Sequence, residues 1–118
     1  MKNLAPDITR KRMLIEGFYD IQVNESVIKE FFTHLTNELS LRTYAQPIIH
    51  TATGQGSEAN SGYDCFVPLI DSGIYIGIWT KQKFISLVLY TCKYFDEEKA
   101  NEITKKFWKI KETATHSF

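Results

Sequence analysis

The chain has almost none of the features that mark a disulfide scaffold, a nucleic-acid module or a membrane protein. It has only two cysteines, Cys65 and Cys92, in 118 residues, too few for a disulfide framework. The expectation is two reduced, half-buried thiols. The 14 basic and 14 acidic side chains cancel, so there is no basic surplus to hold a phosphate backbone. No nucleic-acid partner is expected. No apolar run approaches the roughly 20 residues a membrane helix needs. The first 20 residues contain no apolar signal-peptide core before a small-residue cleavage site. The expectation is a cytoplasmic protein that makes no membrane contact. His34, His50 and His116 are scattered, and neither Cys-x-x-Cys nor His-x-x-x-His spacing occurs. No metal site is expected.

What the chain does have is apolar material. Hydrophobic residues make up 43% of the sequence and aromatic residues 14%, enough for one core and against disorder. The length fits one domain. Residues 1–10 read as a polar leader containing Pro6, and residues 11–118 as the single domain.

Arg12 to Val23 reads as a strand. Asn24 is a good N-cap, and Val27, Ile28, Phe31, Phe32, Leu35 and Leu39 recur at helical spacing, predicting a helix of about four turns ending near Ser40. Arg42 to Thr53 is a weaker strand interrupted by Pro47. Residues 53–62 read as a flexible small-residue loop, since their Gly-x-Gly piece lacks the strand and helix context of a phosphate site. Tyr63 to Ile70, Ile74 to Thr80 and Lys83 to Cys92 form an antiparallel meander. Its turns are Asp71-Ser72-Gly73, with glycine supplying the positive φ, and Lys81-Gln82. Asp96 caps a second helix, and the tail after Trp108 has room for a last strand. The basic run Lys105, Lys106, Lys109 and Lys111 reads as a solvated helix end.

This order has too few crossovers for a doubly wound sheet. It predicts an α+β two-layer sandwich, an antiparallel sheet with two helices on one face. The meander is apolar on both sides. Ile74, Ile76 and Ile78 alternate with Tyr75, Gly77 and Trp79. Two helices cover one face, so the aromatic face is expected to meet a second copy of the chain or to line a ligand cavity. Tyr75 and Trp79 are the candidate ligand contacts there, and Gly77 between them opens space.

The stretch Asp71-Ser72-Gly73-Ile74-Tyr75-Ile76-Gly77-Ile78-Trp79 resembles the processing segment of bacterial S-adenosylmethionine decarboxylases, which reads Glu-Ser-His-Ile-Ser-Ile-His-Thr-Trp-Pro-Glu. That family carries a catalytic cysteine in Phe-Thr-Cys twenty residues after the serine, and Tyr90-Thr91-Cys92 stands twenty residues after Ser72. The opening Arg12-Met13-Leu14-Ile15-Glu16 resembles the family's His-Leu-Leu-Val-Asp. The resemblance covers residues 11–108 and implies the family's two-layer fold.

The resemblance also implies a chemistry. The serine hydroxyl attacks the preceding carbonyl, an ester forms, and elimination cuts the chain. The serine becomes an N-terminal pyruvoyl group, an electron sink for decarboxylation in polyamine (spermidine) synthesis. Carried over, Asp71-Ser72 is the cleaved bond, Ser72 the source of the pyruvoyl cofactor, and Cys92 the proton donor. The departures are specific. Gly77 replaces the histidine that drives elimination, Gly73 replaces another histidine, and Asp64 replaces a processing serine eight residues before Ser72. Asp64 and His50 are the candidates for a substitute base. The alternative reading is an unprocessed pseudoenzyme that binds a nucleoside-like ligand as a homodimer, or regulates an active paralogue as a hetero-dimer. A third is an interaction domain that shares only the fold.

Overall fold

A computed structural model describes residues 1–53 and 60–118. In chain order the elements are β1 (Lys11–Phe18), α1 (Glu25–Glu38), β2 (Ile48–Thr53), β3 (Ser61–Leu69), β4 (Ser72–Trp79), β5 (Phe84–Thr91), α2 (Glu97–Phe107) and β6 (Ala114–Ser117). The strands form one six-stranded sheet in the order β2-β3-β4-β5-β1-β6, with every pairing antiparallel. Residues 1–10 form no helix or strand. Most of the expected 53–62 loop lies outside the described residues, and Ser61 and Gly62 already belong to β3.

Both helices begin where the caps predict. Asn24 Oδ1 accepts the Val27 N–H at 2.9 Å, and Asp96 Oδ1 accepts the Lys99 N–H at 3.1 Å. Each cap satisfies a helical donor that would otherwise be orphaned. Glu97 and Glu98 lie in the first turn of α2 and Lys105 and Lys106 in its last, each on the favourable end of the helix dipole.

The two helices cover one face of the sheet. Ile28, Phe31, Phe32 and Leu35 of α1 and Ala100 of α2 join Met13, Ile15, Cys65, Val67, Leu69, Ile74, Ile76, Ile78, Ile85, Leu87 and Leu89 in one buried cluster. Trp108, just past α2, is fully buried and packs edge-on against Tyr19 and Phe31. Each such aliphatic side chain contributes about 1.5–3 kcal/mol by leaving water.

Three boundaries differ from expectation. β1 stops at Phe18, not Val23, because the chain turns toward Trp108, whose carbonyl accepts the Asp20 N–H at 3.0 Å. Gly17 permits this close approach, since a Cβ there would lie 2.6 Å from Ile110. β2 begins after Pro47, and only Thr43 of the preceding stretch makes a bridge, to Leu69. The β3–β4 turn is Ile70-Asp71, closed by the pair Leu69 and Ser72. Ser72 and Gly73 are therefore strand residues, and the positive φ falls on Ser72, at 122°. The thiols also differ from each other: Cys65 is buried and Cys92 exposed.

Candidate active site

The junction lies at one end of the sheet. The Ile70 N–H donates to the Arg42 carbonyl at 2.8 Å, and the Tyr44 N–H to the Pro68 carbonyl at 2.9 Å. The segment around Arg42–Tyr44 thus straps the β3–β4 turn. Asp71 is buried, and its Oδ1 lies 3.4 Å from Nη2 of the largely exposed Arg42. Its Oδ2 is buried with no hydrogen-bond partner among the described residues. The Asp71 carbonyl accepts the Cys92 N–H at 3.0 Å. Ser72 pairs with Thr91, which places Cys92 beside the junction. The structure thus brings together Asp71, Ser72 and Cys92.

The backbone at Ser72 has a chemical consequence. At an L-residue, Cβ trails the carbonyl carbon by about 120° in the torsion about N–Cα. A φ of 122° therefore leaves Ser72 Cβ nearly eclipsed with the Asp71 carbonyl carbon. An ordinary strand residue, with φ near −140°, holds the two well apart. The eclipsed arrangement is strained by about 1–3 kcal/mol. It is also the arrangement a five-membered ring through Oγ, Cβ, Cα, N and that carbonyl carbon requires.

Tyr75 and Trp79 lie farther along β4, on the face without helices. Register places rows of side chains across this face. One row reads His50, Asp64, Gly77, Ser86 and Glu16, on β2, β3, β4, β5 and β1. The Tyr75 hydroxyl donates to Asp64 Oδ1 at 2.9 Å, and Ser86 Oγ to Glu16 Oε2 at 2.7 Å. Burial pushes the Tyr75 phenol up to about 12, and the bond to Asp64 and its charge act in the same direction. On the helix side, burial pushes the Cys65 thiol up to about 12, with Asp64 and Glu25 adding to it. That thiol stays protonated and inert.

Asp64 and His50 do share a row with Gly77, but that row is five residues along β4 from Ser72. At roughly 3.3 Å per residue this is about 16 Å. Within one chain neither side chain approaches Ser72.

The two positions where the resemblance leads one to look for histidine are covered. A Cβ at Gly73 would lie 2.7 Å from the Phe66 ring. One at Gly77 would lie 3.1 Å from the Trp79 ring and 3.2 Å from the Tyr75 hydroxyl. Sequence reasoning missed the Arg42–Asp71 pair, because no local pattern joins residues 29 apart. Among the described residues no three His, Cys, Asp or Glu side chains gather as a metal site, and no helix is long and apolar enough to cross a membrane.

Comparison with known proteins agrees with this fold. No curated protein matches the chain. Among solved structures, the adenosylmethionine decarboxylase from Aquifex aeolicus VF5 superposes with a TM-score of 0.72 at 16% identity, covering 94% of this chain and 89% of that one. At that identity the likeness speaks for the fold. The family model described as S-adenosylmethionine decarboxylase matches residues 15–118. The chain belongs to the S-adenosylmethionine decarboxylase family.

Proposed function

We propose that this chain is a self-cleaving decarboxylase of polyamine synthesis in the cytoplasm, acting on S-adenosylmethionine through a pyruvoyl group made from Ser72. The observation that carries the reading is the φ of 122° at Ser72, on the bond the family cleaves. It holds the hydroxyl-bearing carbon against the carbonyl it attacks, a near-attack conformer. The Cys92 N–H, 3.0 Å from the Asp71 oxygen, stabilises the negative charge that develops there. The strain is released when the peptide becomes an ester. The pyruvoyl group supplies the electron sink for loss of carbon dioxide. The exposed Cys92 thiol, beside residue 72, returns a proton to the substrate carbon. Tyr75 and Trp79 offer flat apolar surface to an adenosyl group, and a second copy of the chain closes the face as a homodimer.

Intact mass under denaturing conditions tests this. The expected result is two fragments, residues 1–71 and 72–118, the second with a reactive N-terminal carbonyl. Ser72→Ala should remain one species near 13.7 kDa. Carbon dioxide release from S-adenosylmethionine then follows only in the cut protein. A wild-type chain that stays whole for days overturns the reading.

The aromatic cover over Gly73 and Gly77 favours a second reading, the unprocessed pseudoenzyme that dimerises and binds a nucleoside-like ligand or a paralogue. There the chain stays whole, and S-adenosylmethionine raises its Tm without turnover.

A further inference from the structure

We infer that the Asp71 carboxylate is the base that takes the Ser72 Cα proton in the elimination step. This rests on the self-cleaving reading above. That step needs a proton acceptor, and the usual position holds Gly77, which has no side chain. Asp64 and His50 lie about 16 Å along the strand. Three buried side-chain atoms lack a hydrogen-bond partner among the described residues: Arg12 Nε, Trp108 Nε1 and Asp71 Oδ2. The first two are donors and accept no proton. The third is a carboxylate oxygen on the residue whose main-chain carbonyl is joined to the Ser72 nitrogen. It is intramolecular with the proton it would remove, so no encounter is needed.

The surroundings suit the role. Arg42 reaches Oδ1 at 3.4 Å from a side chain 65% exposed, while the Asp71 side chain is 10% exposed. The cation anchors one oxygen and leaves the other unengaged, away from bulk water. An oxygen with no hydrogen-bond partner keeps its lone pairs open to accept a proton.

The step balances. After the acyl shift the Asp71 carbonyl carbon is bonded to Ser72 Oγ, and the Ser72 nitrogen is a free amine. Asp71 Oδ2 takes the proton from Ser72 Cα, and that electron pair forms the Cα–Cβ double bond. The Cβ–Oγ bond breaks, and its electrons leave with Oγ as the new Asp71 main-chain carboxylate. The enamine takes a proton at Cβ, and one water replaces the nitrogen as ammonia, giving the pyruvoyl carbonyl.

The test compares wild type, Asp71→Asn, Asp71→Glu, and Asp71→Ala with and without acetate, by denaturing mass, with and without hydroxylamine, which cuts esters. Tm is read for each as a check on folding. Asp71→Asn should accumulate an ester that hydroxylamine cuts between residues 71 and 72, leaving an N-terminal serine. Its pyruvoyl formation should fall on the order of 100-fold or more. Asp71→Glu should recover part of the rate, as should acetate added to Asp71→Ala. Asp71→Asn forming pyruvoyl at the wild-type rate overturns the inference, as does a stall that neither Glu nor acetate relieves. Wild type that hydroxylamine cuts but that never forms pyruvoyl overturns the inference and the self-cleaving reading together, whereas wild-type rates in Asp71→Asn overturn the inference alone. Wild type that stays whole even with hydroxylamine overturns the self-cleaving reading with it.

Discussion

The two faces of β4 belong to one strand and carry opposite designs. Ile74, Ile76 and Ile78 point into the helix-covered core and are buried, each 3% exposed or less. Tyr75 is 41% exposed on the other side, and Tyr75 and Trp79 flank the polar row that runs through Gly77. The closed face is governed by volume: aliphatic branches fill space between sheet and helices. On the open face, flat aromatic residues surround His50, Asp64, Ser86 and Glu16. A face meant only for water does not need Phe18, Phe66, Tyr75 and Tyr90, and a face meant only for packing does not need two carboxylates. The difference teaches that one strand can serve two surfaces of unlike chemistry, one ruled by volume and one that mixes flat aromatic and polar groups.

Adjacent residues of β5 offer the sharpest way to test the contrast. Leu87→Ala on the closed face should lose about 2–5 kcal/mol, because it leaves a cavity beneath two helices. Val88→Ala on the open face should stay within about 1 kcal/mol in the monomer. Urea unfolding of both variants checks this, and equal losses would erase the contrast.

Assembly comes next. Val88 sits opposite both Tyr75 and Leu14, in the middle of the open face. Val88→Lys should turn a dimer into a folded monomer by sedimentation, since a symmetric interface would bury two ammonium groups together. A dimer that survives the substitution moves the interface elsewhere. Thiol chemistry gives a smaller, qualitative readout. Iodoacetamide should modify Cys92 in the native protein and Cys65 only after unfolding.

The smallest effect is a titration. The folded pKa of Tyr75 is raised from 10.0 to about 12, so its neutral form is favoured by folding. The resulting stability is fully present below pH 10 and is lost as pH rises from 10 to about 12. Solvent screening at a half-exposed phenol keeps the effect small. Tyr75→Phe should remove the highest-pH tyrosinate transition seen in ultraviolet absorbance. Its persistence would place that transition on another tyrosine.

Much of this fold is legible in the chain. Asn24 and Asp96 mark helix starts because a side-chain oxygen must meet the first N–H groups. The alternation along Ile74–Trp79 fixes both faces. The twenty-residue spacing of Ser72 and Cys92 is legible for a physical reason: it is the length of the β4–β5 hairpin, which pairs Ser72 with Thr91. The sequence pattern misplaces the turn before Ser72 because glycine at 73 invites a positive φ. Register instead pairs Gly73 with Pro68 and Tyr90 and leaves the unusual torsion to serine. The Arg42 contact and the separation of Asp64 from Ser72 depend on the assembled sheet, which no local pattern encodes.

The strand order has a topological consequence. A cut between residues 71 and 72 would leave β1, β2 and β3 on one polypeptide and β4, β5 and β6 on the other. In space these alternate: β2 and β3 of the first piece, β4 and β5 of the second, β1 of the first, β6 of the second. The pieces are interleaved like the fingers of two hands. Neither could leave without unzipping three seams of main-chain hydrogen bonds, so scission would make two molecules that behave as one body until they unfold.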